Sequence, residues 1–268
     1  MIFADLLGTT RSMLARMRSI TLSNSSVLFK TDAMSRNASA RLRCSCSARS
    51  FRMRSIPVAT WLATVFSTKG GVGKSVIACN VAVALACMGA DVILVDLDLQ
   101  FGDTGIMLDL KPERTIFDAI GFYDRLDAEM LRGFLTQHSS GLRVLLAPVR
   151  PEDAEAVTAS RVASILGMAR ELADIVVVDT ASTFDDIVLA AIDASEEIYA
   201  VATMDVASIK NTRVSLQKLS QLGYDAGRTR LVLNRADSKV WLDVGEVEHS
   251  IEADTVGRVP SDRLVPRS

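Results

Sequence analysis

The chain has 268 residues, 49% of them hydrophobic but only 5% aromatic, and a formal net charge of −2. That length holds one large α/β domain or two small ones, and the near-neutral balance gives no global case for nucleic-acid binding. No apolar run approaches the roughly 20 residues of a membrane-spanning helix. The four cysteines, Cys44, Cys46, Cys79 and Cys87, show neither zinc spacing nor a disulfide framework, so a reducing cytoplasm is the simplest compartment.

Residues 1–57 stand apart. Before Asp91 the only acids are Asp5 and Asp32, whereas arginine recurs at positions 11, 16, 18, 36, 41, 43, 49, 52 and 54 among many serines. A transit peptide, a basic arm for an acidic partner, and a disordered tail or mis-assigned start all fit this composition. The last is preferred, with Met53 as an internal start. Met13 to Ile20 has only a weak basic amphipathic pattern.

From Val58 onward strands alternate with helices, which predicts one domain over 58–268: an α/β, doubly wound, mostly parallel sheet with helices on both faces. The predicted order begins with a strand at Trp61–Phe66, a helix from Lys74 to about Met88 stopped by Gly89, and a strand at Val92–Val95. Short helices follow at Thr115–Ile120 and Asp127–Thr136, then a strand at Arg143–Ala147 and a long helix from Glu152 to Leu172. The acids Glu152, Asp153 and Glu155 line that helix start. Ile175–Val178 is the most apolar strand and is expected to be central. The rest reads as helix Asp185–Asp193, strand Ile198–Ala202, helix Ile209–Leu222, strand Arg230–Leu233, helix Leu242–Ile251 and strand Val256–Val259. Ser208 is a candidate cap of its helix, and His138 and His249 read as solvated, lacking metal-type neighbours.

The most informative stretch is Lys69-Gly70-Gly71-Val72-Gly73-Lys74-Ser75-Val76. It joins the first strand to the first helix, the context a phosphate loop requires. Glycines let backbone N–H groups converge on phosphate oxygens, and the helix N-terminus adds its positive dipole end. Lys74 would reach the β- and γ-phosphates, and Ser75 would offer its hydroxyl to Mg²⁺. The general pattern opens on glycine, whereas Thr68 or Lys69 stands there in this chain.

With its extra lysine, the loop resembles the deviant Walker A loop of the MinD/ParA family of P-loop ATPases. The resemblance implies an ATP-binding, Mg²⁺-dependent ATPase that forms a homodimer when ATP is bound, with Lys69 reaching nucleotide phosphates across the dimer. Lys69, Lys74 and Asp98 are then the catalytic set. By the same resemblance Asp96 helps hold the Mg²⁺ water shell and Asp98 orients the attacking water, both from the DxD at the end of the second strand. Ile175-Val176-Val177-Val178-Asp179-Thr180 has the form of a Walker B strand that delivers Asp179 to the metal. The family's proline after D-[ST] is replaced by Ala181.

Leu233-Asn234-Arg235-Ala236-Asp237 has two readings. The family places an adenine-recognising asparagine here, yet the run also resembles the N-K-x-D guanine motif. The loop and switch pattern favours ATP, with Asn234, Arg235, Pro260 and Asp262 around the base. Asp96 to Asp103, Ala147-Pro148 with Pro151 to Glu155, and Thr203-Met204-Asp205 look like the CpaE/TadZ branch. That branch localises Flp/Tad pilus assembly machinery, often behind a degenerate receiver domain for which this leader is too short. The expected partners are proteins of a pilus, secretion or positioning system, at the inner face of the cell membrane through indirect contact. The alternatives are a nucleotide-gated scaffold with little turnover, or a MinD-like cell-division or ParA-like partition ATPase. The chain stops soon after the base loop, so a terminal membrane helix of the MinD kind is not expected.

Overall fold

A computed structural model describes residues 60–237 and 243–261. The leader, its two cysteines, the start of the helix expected at Leu242, and Asp262 lie outside the described residues.

The hydrophobic pattern explains the architecture directly. β1 (Trp61–Phe66), β2 (Val92–Leu97), β5 (Ile175–Thr180) and β6 (Glu197–Thr203) are almost entirely buried. Strands covered on both faces lose the polar alternation of a half-solvated sheet. With β3 (Thr136–Gln137), β4 (Arg143–Leu145), β7 (Thr229–Asn234) and β8 (Thr255–Val259), they form one eight-stranded sheet in the order β3-β4-β2-β5-β1-β6-β7-β8. All pairs are parallel except the β3–β4 edge. β5 sits between β2 and β1, as its apolar run predicts.

Alternate strand residues feed two layers. Ala63, Val65, Leu94 and Val177 face α1 (Lys74–Cys87), whose Ala78, Cys79, Ala82 and Ala86 allow close approach. Burial pushes the Cys79 thiol well above its usual pKa. Leu62, Ile93, Val95, Val176 and Val178 face the other layer, built mainly from α3 (Ile116–Ile120), α5 (Ala159–Leu172) and α6 (Asp186–Ala194), with α4 (Ala128–Arg132) at its periphery, whereas α2 (Thr104–Met107) lies on the α1 side, where Met107 packs against that core. The last part of the sheet packs on α7 (Val206–Gln221) and α8 (Val244–Ile251). Among the described residues no helix is long and apolar enough to cross a membrane.

Several expectations need correction. The helix expected over Asp127–Thr136 ends at Arg132, where Gly133 follows, and Thr136–Gln137 pairs instead as an antiparallel edge strand. Thr104–Met107 is an unexpected short helix. Glu152, Asp153 and Glu155 occupy a 3₁₀ turn over Pro151–Ala156, and the α-helix begins only after Thr158, whose hydroxyl accepts from Arg161 N. Ser208 is not the cap of α7: Asp205 is, accepting from Ser208 N at 2.9 Å, while the Ser208 hydroxyl is donated to by Thr203 N. His138 is buried rather than solvated. Its Nδ1 pairs with the Ser140 hydroxyl, and burial lowers its pKa.

If Thr158 sets the start of α5, Thr158→Ala should cost about 1 kcal/mol of stability. Urea denaturation measures this, and an unchanged midpoint would contradict that cap.

Candidate nucleotide and cation site

Parallel strands bring their carboxyl ends to one edge of the sheet, and in such sheets ligands bind beyond that edge. Here β1 runs into the glycine-rich loop, β2 ends in Asp96-Leu97-Asp98, β5 in Asp179-Thr180, and β7 in Asn234. The loop is made by backbone that side chains resist: Gly71 has φ +73° and Gly73, capping α1, has φ +92°. Ile77 N donates to Gly73 O, so the first helical bond forms at once, and the N–H groups before it have no intrahelical partner.

Asn234 ties this loop to the sheet. Its Nδ2 donates to Val72 O at 2.7 Å, and its Oδ1 accepts from Arg235 N at 2.9 Å. Arg235 adopts φ +53° at the same corner. The amide that the sequence assigns to base recognition is thus also a tether of the phosphate loop. Val259 O accepts from Ala236 N, and Asp237 Oδ1 accepts from Ser261 N at 2.5 Å, which brings Arg235 and Pro260 together at the ends of β7 and β8.

Lys74 is buried, and its Nζ donates to Ser182 Oγ at 2.5 Å. Burial lowers its pKa, against the charges of Asp179 and Asp98. Asp96 and Asp179 are register partners on adjacent strands, both essentially inaccessible to solvent. Burial pushes Asp96 up to about 6, opposed by the Thr104 hydroxyl and the Asp98 N–H, which bond it at 2.6 and 3.0 Å. Burial and then the Asp96 charge push Asp179 well above the usual carboxylate range. The Ser75 hydroxyl and Lys74 ammonium are near enough to oppose that rise. Even so, neither Asp179 oxygen has a partner in hydrogen-bonding geometry among the described residues. Asp98, half-buried, is raised by burial and accepts weakly from Phe101 N at 3.4 Å.

A hard divalent cation fits this arrangement. Two carboxylates and the Ser75 hydroxyl are an all-oxygen set, and the orphaned oxygens of Asp179 need a positive partner. Among the described residues no group of three or more His, Cys, Asp or Glu side chains forms a cage. So few protein ligands suit Mg²⁺, which keeps several waters.

Lys69 lies elsewhere. Its Nζ bonds both Asp205 oxygens, at 2.7 and 2.9 Å, at the N-terminus of α7. Partial burial works against ionisation of Asp205, but Lys69, the Thr203 hydroxyl and Ser208 N outweigh it and bring its pKa down to about 2. The Lys69 and Asp205 side chains remain 30% and 43% exposed.

Sequence reasoning gave no site role to Asp205, Thr104 or Ser182. Asp205 stood in the Thr203-Met204-Asp205 run, where a T-x-D at a strand end is a cap signal. Thr104 and Ser182 carry no local signature.

The model of the CobQ/CobB/MinD/ParA nucleotide binding domain matches residues 63–267, and the chain belongs to that family. Over 173 residues it is 30% identical to the antiactivator FleN of Pseudomonas aeruginosa, covering 63% of this chain and 60% of that protein's length. With the septum site-determining protein MinD of Bacillus subtilis it shares 22% identity over 211 residues, covering 74% and 75% of the two. The crystal structure of a ParA family ATPase from Chlorobium tepidum superposes with a TM-score of 0.70 at 25% identity, over 76% of this chain and 86% of that one. MinD of Pyrococcus horikoshii complexed with Mg-ADP has the same fold, with a TM-score of 0.65 at 20% identity, over 76% and 82%.

Gly73→Ala tests the loop. A Cβ there would lie 2.4 Å from Asn234 Nδ2, in backbone that L-residues resist. Nucleotide affinity should fall about tenfold or more, read by titration with a fluorescent ATP analogue. Affinity within twofold of wild type would contradict the geometry.

Proposed function

We propose that this member of the family binds ATP with Mg²⁺, hydrolyses it, and uses the ATP-bound homodimer as a switch. The observation that carries the reading is the division of labour between two lysines. Lys74 alone enters the loop's own phosphate cradle, while Lys69 stands at its rim on a partly exposed partner, Asp205. A second cation at the rim, able to leave a solvent-screened ion pair at little cost, suits a charge supplied in trans.

In this reading the backbone of Gly70, Gly71, Val72, Gly73, Lys74, Ser75 and Val76 cradles the phosphates. Ser75, Asp96 and Asp179 hold the cation, which supplies charge neutralisation when bound. Asp98 orients water for in-line attack, and Lys74, with Lys69 supplied by the other copy, stabilises the charge that develops. Asn234, Arg235, Pro260 and Asp262 surround the base. The phosphate-loop and switch pattern favours adenine over the guanine reading of Asn234 to Asp237.

The domain is taken as residues 58–268, with 1–57 a basic leader. A role beside a Flp/Tad-type pilus machine rests on the branch-like segments, two of which meet in space. A Cβ on Gly102 would strike the Ala147 side chain at 2.5 Å. Phe101 and Val149, beside this junction, are 73% and 65% exposed, which suits a protein partner that recruits the chain to the inner membrane face. A scaffold with little turnover is the second reading. Ala181, in place of the switch proline, favours it by leaving that loop less rigid.

Phosphate release from Mg-ATP separates the two. The enzyme reading expects steady release that Lys69→Ala lowers about a hundredfold or to background, with ATP still bound. Wild-type release at background, with ATP bound, would leave the scaffold.

A further inference from the structure

The buried stripe of α7 carries hydroxyls where a helix packed on a sheet usually presents aliphatic side chains. Ser208, Thr212 and Ser215 are buried beside Ile209 and Leu219. Two of the three bond outside the helix. Ser208 accepts from Thr203 N at 2.9 Å, and Ser215 Oγ lies 2.6 Å from Thr68 Oγ1 at the entry to the phosphate loop. Ser215 also donates to Asn211 O at 2.7 Å. That spends its one hydrogen, so Thr68 is the donor between the two hydroxyls.

Thr68 stands immediately before Lys69, whose Nζ bonds Asp205 at the N-terminus of the same helix. Asp205 and Ser215 are ten residues apart, roughly 15 Å along the axis. The two neighbouring side chains therefore run in opposite directions along α7 and clamp the backbone of 68–69 against it. The other supports of that backbone are weaker or farther on. Lys69 N donates to Ser67 Oγ at a long 3.3 Å. Gly70 and Gly71 follow, and the Asn234 tether acts only at Val72 O.

We propose that Thr68 is a positioning residue for Lys69: its bond to Ser215 fixes the backbone from which the lysine swings. The inference rests on the reading in which Lys69 serves the other copy's nucleotide. When the ammonium leaves Asp205, the clamp loses one of its two ends. The Thr68 bond then holds the lysine's origin on α7, so the side chain alone moves and its reach toward the other copy stays defined. Without that bond the two glycines let the origin drift, and the charge arrives at its target less often in the productive place. The cradle from Val72 onward keeps its own tether and is unaffected.

The test compares phosphate release at saturating Mg-ATP with calorimetric affinity for Mg-ADP. Thr68→Val keeps the branched shape without the hydroxyl, and Ser215→Ala removes the acceptor. Each should lower release about fivefold, what one neutral hydrogen bond is worth, and leave Mg-ADP affinity within twofold. The double variant should be no slower than either single one, because both remove the same bond. Thr68→Ser retains the donor and should release at the wild-type rate. Release unchanged in both single variants, or release and Mg-ADP affinity falling together, would overturn the proposal, the latter making Thr68 a support of the cradle. Wild-type release at background with ATP bound would remove the enzyme reading and this inference with it.

Discussion

Two buried carboxylates side by side are the constraint on which the rest of this structure depends. Parallel pairing of β2 with β5 puts Asp96 opposite Asp179 in register, about 4.8 Å apart across the strands. Burial alone disfavours their charge, and each disfavours the other's. Asp96 is satisfied internally by Thr104 and the Asp98 N–H, so α2 and the loop before it are held against the end of β2. Asp179 is left unsatisfied. A carboxylate so placed adds nothing to stability on its own, and its cost makes sense as preparation for a cation.

Positive charge around that pair is arranged at increasing distance. Lys74 is nearest and buried, and it holds Ser182 across the cradle. Lys69 is farther out, on Asp205, whose carboxylate also caps α7 and accepts from the Thr203 hydroxyl. The rim lysine is thereby coupled to the start of a sixteen-residue helix. Any event that draws Lys69 away leaves Asp205 with its two remaining donors, so the helix keeps its cap while the rim is rearranged. Asn234 provides the complementary rigidity, fixing the centre of the loop to β7.

Much of this was legible in the sequence because the strands are uninterrupted apolar runs, and the residues ending them sit at the ligand edge by topology alone. Lys74, Asp96, Asp98 and Asp179 converge for that reason. β3 was not legible, since a two-residue strand has no periodicity to detect. The start of α5 was misplaced because Pro151–Ala156 is as rich in helix formers as the helix after it, and only the Thr158 hydroxyl marks the boundary. The partners of the site were hidden by distance along the chain. Lys69 and Asp205 are separated by 136 residues, Lys74 and Ser182 by 108, and Val72 and Asn234 by 162. His138 looked solvated because its burial comes from packing around the β3–β4 turn, and the two-residue strand β3 leading into that turn has no periodicity to detect.

The central claim is that two copies meet through nucleotide, with Lys69 serving the other copy's site. Light scattering of the purified chain with and without ATP and Mg²⁺ measures this directly. The account predicts a monomer without ligand, a dimer with Mg-ATP, and a monomer under both conditions for Lys69→Ala. A wild-type chain that stays monomeric while saturated with Mg-ATP would contradict it.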